Sequence, residues 1–166
     1  MRRCATIGVI ALLAGCHRHD DPAPARQATG LEAAAIQAGV IADPGDADIS
    51  GLFAREGDKV CVMPSAKAFR IGASVDLDER QHCSASGTVT HDGEALHVVL
   101  DGADGCRFDA RYEGDRIVFP GRVPDACQKL CTGRASFAAL AVDRLSTSAS
   151  EAATLQDRDG RLLCGG

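Results

Sequence analysis

From about Ser50 onward, apolar and polar residues alternate with a period of two along much of the chain. The clearest runs lie at 69–77, 83–90 and 106–112, where every second residue is apolar. Such alternation is typical of strands with one buried and one solvated face. Turn-forming segments such as Glu56-Gly57-Asp58, His91-Asp92-Gly93-Glu94 and Glu113-Gly114-Asp115 separate the runs. The pattern predicts an antiparallel meander of about seven or eight strands, with the last strand over Arg134 to Val142.

Short strands joined by tight turns favour a sheet that closes on itself, because closure removes the exposed edges. We therefore predict a mainly β domain, built as a small up-and-down barrel or as a strongly curved sheet. Short helices flank it. Capping-box sequences predict one from about Leu31 to Ile41, after Thr29, and another from Ser148 to about Asp157. Residues 124–131 predict a short helical turn.

The amino end carries a second pattern. Arg2 and Arg3 precede an uncharged run at 5–14, which ends in Leu13-Ala14-Gly15-Cys16. Ten residues are too few to span a membrane, which needs about 20. The segment resembles a bacterial export signal, and its last four residues resemble the lipobox of bacterial lipoproteins. The resemblance implies that residues 1–15 are removed and that Cys16 is acylated.

The lipoprotein resemblance also implies a location. Two or three acyl chains hold a protein firmly at a membrane. In Gram-negative lipoproteins an aspartate after the cysteine favours the inner membrane, whereas this chain has His17. We therefore expect a cell-envelope protein at the periplasmic face of the outer membrane. Its organisation is a signal peptide over 1–15, a lipidated flexible tether over 16–30 and one β domain over 31–166.

Composition narrows the possible partners. Removal of residues 1–15 takes away Arg2, Arg3 and no acid, so the net charge moves from −5 to −7. An acidic chain with scattered basic residues does not favour nucleic acid or anionic headgroups. A cationic protein would suit it better. Five Phe, one Tyr and no Trp predict a modest, mainly aliphatic core.

Six cysteines remain once Cys4 and Cys16 are set aside, and an even number in an exported chain predicts disulfides. Six cysteines allow fifteen pairings. Cys83 and Cys106 each open a strand on its apolar face at the same end of the sheet, so we expect them to pair. Cys127 and Cys131 lie one helical turn apart and could form a local bridge. Cys61 would then pair with Cys164.

The sequence predicts no catalytic site and no metal site. Residues 46–53 match the start of an EF-hand loop, but Gly57 stands where a bidentate Glu is needed. The histidines have no nucleophile or carboxylate at a catalytic spacing, and the acids Asp76, Asp78 and Glu79 read as a solvated turn. No Gly-x-Ser-x-Gly elbow or phosphate-binding loop occurs. We expect neither an enzyme nor a cofactor.

The sequence therefore predicts a lipid-anchored, non-catalytic binding or accessory domain whose partner is an envelope protein or a small ligand. One alternative is an inhibitor of an envelope-attacking enzyme. In size, anchor and meander the chain resembles the small periplasmic lysozyme inhibitors, although Ser86-Gly87-Thr88-Val89-Thr90 lacks the tyrosine of their Ser-Gly-x-x-Tyr-like motif. Another alternative is a carrier that holds a small apolar ligand inside the barrel.

Overall fold

The computed structural model describes residues 30–40 and 47–165. Helix α1 spans Leu31–Gln37 and begins at Gly30 without a side-chain cap, and the predicted cap Thr29 lies outside the described residues. The strands are β1 Gly51–Arg55, β2 Asp58–Pro64, β3 Phe69–Asp78, β4 Gln81–Asp92, β5 Ala95–Leu100, β6 Arg107–Tyr112, β7 Arg116–Val118 and β8 Ala141–Ser146. A 3-10 helix spans Asp125–Leu130 and helix α2 spans Ala149–Ala153. In these ranges no helix is long and apolar enough to cross a membrane.

The eight strands form a closed antiparallel barrel in which each strand pairs with the next and β8 pairs with β1. The prediction of a mainly β, up-and-down barrel is confirmed, and the alternative of an open curved sheet is excluded. The predicted final strand over Arg134 to Val142 is wrong, because β8 begins only at Ala141. Ala135 and Phe137 do point into the core, but from a loop. Because Ala135 and Phe137 are buried at alternate positions, this loop has the sequence pattern of a strand.

The inside of the barrel is filled by apolar side chains. Phe53, Phe119 and Phe137 are the largest fully buried residues. The strands add smaller inward residues: Val60, Val62, Ile71, Ala73, Val75, Val89, Leu96, Val98, Ile117 and Val142. An eight-stranded barrel is just wide enough for side chains to fill. The interior is therefore the main hydrophobic core.

The chain after β8 folds back over the outside of β2, β3 and β4. There Leu163 packs with Cys61, Ala152 and Cys164 in a second, smaller cluster. Gly72 on β3 permits this contact, because a Cβ at Gly72 would lie 2.5 Å from the Leu163 Cβ. The outer face of these strands, which the sequence pattern predicted to be solvated, is thus partly covered.

Three disulfides fix the domain, and one was predicted correctly. Cys61 on β2 bonds to Cys164, as expected. The predicted bridge between Cys83 and Cys106 is wrong. Strand β5 lies between β4 and β6, so those two strands are about 10 Å apart. A disulfide requires Cα atoms within about 7 Å, and Cys106 bonds instead to Cys127.

The predicted local bridge between Cys127 and Cys131 is also wrong. Residues four apart share a face of an α-helix, but in a 3-10 helix with three residues per turn they point about 120° apart. Cys127 lies inside the 3-10 helix, whereas Cys131 follows it in extended conformation. Cys131 bonds to Cys83, and the two Cα atoms are 4.0 Å apart.

Candidate functional site

The connection between β7 and β8, residues 119–140, is the longest between neighbouring strands, and we call it the cap. It covers the end of the barrel where the β1–β2, β3–β4 and β5–β6 turns also lie. The other turns are tight, and loops longer than about 12–15 residues are uncommon in compact domains unless they serve a function. Among the connections between strands, the cap is therefore the strongest candidate for a binding site.

Aromatic side chains anchor the cap in the barrel. The rings of Phe119 and Phe108 lie 4.9 Å apart between centroids, and those of Phe119 and Phe137 lie 6.5 Å apart. Leu140 and Ala135 are buried beside them. These contacts place both ends of the cap firmly over the core.

Two disulfides hold the middle of the cap. Cys127 is bonded to Cys106 at the start of β6, and Cys131 is bonded to Cys83 on β4. Cys127 lies within the 3-10 helix and Cys131 directly follows it, so the two disulfides tie the helix to two different strands. A long loop restrained in this way loses little entropy when it binds a partner.

An open groove of about 470 Å³ runs along the outer surface of the cap. Its lining residues come from both arms of the cap and from the 3-10 helix. They are Gly121, Arg122, Val123, Pro124, Asp125, Gln128, Ser136 and Ala138. No sequence motif marks these residues as a binding site, although Pro124, Asp125 and Gln128 lie in the predicted helical turn. Their only signal was the unusually long interval between two strands.

Hydrogen bonds fix the two walls of the groove to each other. The Gln128 side-chain amide donates to the Ala135 carbonyl at 3.1 Å. The backbone N–H of Ala139 donates to the Pro120 carbonyl at 2.8 Å. The groove is therefore a preformed feature of the folded cap.

The groove carries polar groups that are free to bind. Arg122, Asp125 and Gln128 are exposed. Within the described ranges neither Arg122 nor Asp125 makes an ion pair, in contrast with several other arginines of this domain. The cation of Arg122 and the carboxylate of Asp125 lie beside the apolar Val123 and Pro124, and together they form a mixed surface of the kind seen at protein–protein contacts.

Asp157 is the most fully bonded carboxylate in the described chain, and its role is structural. Its side chain is 1% exposed. It accepts hydrogen bonds from the Ser84 hydroxyl at 2.8 Å and from the backbone N–H groups of Asp159 and Arg161, both at 2.9 Å. Burial alone would raise its pKa, but these donors and the Arg161 guanidinium together lower the pKa of Asp157. This residue fixes the carboxyl-terminal segment to β4.

Arg144 organises the opposite end of the barrel. Its guanidinium donates to the backbone carbonyls of Ser50 and Asp48 and to the Tyr112 hydroxyl, and it lies 4.7 Å from the centre of the Phe53 ring. All its partners are parts of the fold, so Arg144 closes the seam between β1 and β8. The positive charge of Arg144 therefore interacts with groups of the domain itself.

Asp143 on β8 bridges two neighbouring strands. It pairs with Arg116 at 2.6 Å and with Arg55 at 3.0 Å. Hydrogen bonds from Arg116 and then Arg55 lower the pKa of the Asp143 carboxyl. All three side chains are substantially exposed, so this trio contributes little free energy of folding. It offers no recess for a substrate.

Most of the residues singled out for chemistry lie apart from one another, and the exception is His82, which lies opposite Asp76 in the pairing of β3 with β4. Asp48, from the EF-hand-like segment, accepts a hydrogen bond from the Ser50 N–H, which lowers the pKa of Asp48. His82 contacts Thr132 and Arg158, whereas His97 pairs with Asp109 on the outer barrel face. Cys16, the tether and Asp46 lie outside the described residues.

The acids of the turn near Asp76 lie in different local environments. Burial raises the pKa of Asp58, and the neighbouring carboxylates of Glu56 and Asp76 add to the effect. Asp78 accepts from the Arg80 N–H and the Gln81 amide, which lower its pKa. In residues 30–40 and 47–165, no three His, Cys, Asp or Glu side chains are placed to hold a metal ion.

Comparison with known proteins adds no relative to this picture. A scan against protein-family models, a search of curated proteins and a search of solved structures each found no match to the chain.

Proposed function

We propose that this protein is a non-catalytic binding domain that engages a partner protein through the groove of the cap. The observation that carries the proposal is the pair of disulfides, Cys106–Cys127 and Cys83–Cys131, which fix a long loop and its groove on a rigid barrel. Preorganisation of this kind lowers the entropic cost of association. The free polar groups of Arg122 and Asp125 supply orientation.

The filled barrel argues for a surface site over an internal one. The fully buried side chains of Phe53, Phe119 and Phe137 occupy the space in which a barrel carrier would hold an apolar ligand. A ligand there would have to displace close-packed side chains, which costs several kcal/mol. We therefore prefer a protein partner to a small apolar ligand.

The proposed location follows from the amino-terminal sequence. Acylation of Cys16 would hold the domain at the cell envelope, with the tether over 16–30 as a spacer. The test is metabolic labelling with a palmitate analogue of the full chain and of Cys16→Ser. We expect label in the first and none in the second. Equal labelling of both would refute the anchor.

Photo-crosslinking from the groove tests the binding proposal. A photoreactive amino acid replaces Gly121 in the full chain, expressed in its native envelope, because Gly121 lines the groove and a Cβ there meets no neighbour within 4 Å. Thr90 on the outer face of β4 serves as the exposed control. We expect a discrete crosslinked partner from position 121 and none from position 90. A crosslink from position 90 alone, or none from either, would contradict the groove as the binding surface.

Inhibition of an enzyme is a narrower form of the same proposal. A rigid surface at the end of a barrel is well suited to binding over the cleft of an enzyme, because little freedom is lost on association. The mature chain should then suppress lysozyme at near-stoichiometric amounts, and Asp125→Lys should weaken the effect, because the acidic chain suits a cationic enzyme. No suppression at large excess would remove this candidate and leave the binding proposal intact.

A further inference from the structure

The three disulfides differ in how well solvent reaches them. Five of the six bonded cysteines are at most 1% exposed: Cys61, Cys83, Cys106, Cys127 and Cys164. Cys131 is only partly buried, at the end of the 3-10 helix. Since thiol–disulfide exchange requires an attacking thiolate to reach a sulfur atom, access decides which bridge reacts. Among the three bridges of the described residues, only Cys83–Cys131 contains a cysteine that is not fully buried, so Cys131 is the cysteine that an external thiol approaches most easily.

We propose that the Cys83–Cys131 disulfide is a thiol-exchange site at which an external thiol releases one end of the cap. The incoming thiolate forms a bond to the Cys131 Sγ, the bond to the Cys83 Sγ breaks, and Cys83 leaves as a thiolate that takes up a proton. A second thiol then attacks the mixed disulfide, frees Cys131 and leaves as the external disulfide. Two electrons pass from the two thiols to the protein bridge.

The surroundings of the bridge support attack at Cys131 and reversal afterwards. Cys131 lies in extended backbone directly opposite Cys83. The Thr132 N–H donates to the His82 carbonyl at 2.8 Å, and the Thr132 hydroxyl accepts from the His82 N–H at 3.2 Å. These two hydrogen bonds keep the residues in register after the sulfur bond is broken. The bridge can therefore re-form without a search through the unfolded chain.

Opening the bridge affects the cap more than the barrel. Cys106–Cys127 still holds the start of the 3-10 helix, and Cys61–Cys164 still joins β2 to the carboxyl-terminal segment. The segment from Gln128 to Ser136 loses its covalent tie to β4, and this segment supplies part of one groove wall. If the groove binds the partner, as proposed above, exchange at Cys131 also weakens that binding. The exchange chemistry itself does not depend on that function.

The test is partial reduction of the native protein with glutathione, followed by rapid alkylation and peptide mapping. At early times we expect glutathione on Cys131 and the alkyl group on Cys83. The other two bridges should open at least about tenfold more slowly. The same reaction in concentrated urea is the control, because unfolding exposes all six cysteines and should remove the selectivity.

Several results would overturn the proposal. These are opening of Cys61–Cys164 or Cys106–Cys127 as fast as Cys83–Cys131, glutathione found on Cys83 instead of Cys131, or the same selectivity in urea. Hydrogen exchange of the alkylated product tests the release of the cap. We expect faster exchange at 128–138 and unchanged exchange in β2 and β3. Unchanged exchange at 128–138 would refute the release, and faster exchange throughout would show that the bridge supports the whole fold. This experiment reads chemistry and amide protection, so it can fail while partner crosslinking at the groove succeeds.

Discussion

The buried carboxylate of Asp157 gives a quantitative test of how the carboxyl-terminal segment is held. Replacing it by asparagine keeps the shape of the side chain and removes the charge. Two partly buried hydrogen bonds, from the Asp159 and Arg161 N–H groups to Oδ1, then change from charged to neutral. The bond from the Ser84 hydroxyl to Oδ2 is lost, because the asparagine amide at that position can only donate to the hydroxyl. Each such change costs about 1 kcal/mol. The exposed Arg161 guanidinium adds little. We expect Asp157→Asn to lower the free energy of unfolding by about 2–3 kcal/mol at pH 7.

The pH dependence of this loss can be worked out in sign. The folded pKa of Asp157 is lowered from 3.8, so its contribution is fully present above the unfolded pKa of about 3.9 and disappears as the pH falls through the folded value. The variant lacks the titrating group. The difference between the two proteins should therefore shrink below about pH 4.

Urea unfolding of the oxidised proteins, monitored by circular dichroism, is the assay, because urea does not screen charges. Asp159→Asn is the matched control, since that side chain is 63% exposed and lies 3.8 Å from Arg161. It should change the unfolding free energy by less than about 0.5 kcal/mol. A loss below about 0.5 kcal/mol for Asp157→Asn, or the same loss at pH 7 and pH 3, would refute the reasoning.

Three further predictions concern the same segment. Gly72→Ala should lower the free energy of unfolding by about 1–3 kcal/mol and speed hydrogen exchange at 149–165, because its Cβ would lie 2.7 Å from the Leu163 carbonyl oxygen. The control is Gly121→Ala, whose Cβ has no neighbour within 4 Å. Equal effects of the two substitutions would contradict the contact between Gly72 and Leu163. Ser148→Ala should lower the free energy of unfolding in urea by about 1 kcal/mol, because the Ser148 hydroxyl accepts a hydrogen bond from the Glu151 N–H at the start of α2. An unchanged unfolding midpoint would contradict a stabilising role for this hydrogen bond. Joint replacement of Cys61 and Cys164 by serine should lower the free energy of unfolding by about 4–5 kcal/mol, since the bridge joins residues 103 positions apart. A loss below about 1 kcal/mol in thermal and urea unfolding would contradict the argument from loop entropy.

The barrel was predictable because its signal is local. Alternation at 69–77 and 106–112 depends only on which face of a strand is buried, and turns such as Glu113-Gly114-Asp115 mark the strand ends. The helical turn at 124–131 was also confirmed, as the 3-10 helix Asp125–Leu130. Such features depend on neighbours within a few residues. Structure that is set by residues close together in the chain can therefore be predicted from the sequence pattern.

The bridges and the groove depend on contacts between distant segments. The pairing of Cys83 required knowing that β5 separates β4 from β6 and that the cap folds back to β4. Ser84 and Ser86 were expected to face solvent, but they donate to Asp157 and to the Leu163 carbonyl. The residue pattern of β4 does not indicate contacts with residues 73 and 77 positions later in the chain. The groove was missed for the same reason.

The order of the bridges along the chain has a consequence for how the molecule is made. Cys106–Cys127 lies within the loop closed by Cys83–Cys131, and both lie within the loop closed by Cys61–Cys164. A chain that emerges amino end first therefore presents Cys61, Cys83 and Cys106 before any correct partner exists. Rapid oxidation at that stage produces only wrong pairs, whose reshuffling takes seconds to hours. Production of this protein should depend on a disulfide isomerase more strongly than production of a domain whose cysteines pair in sequence order.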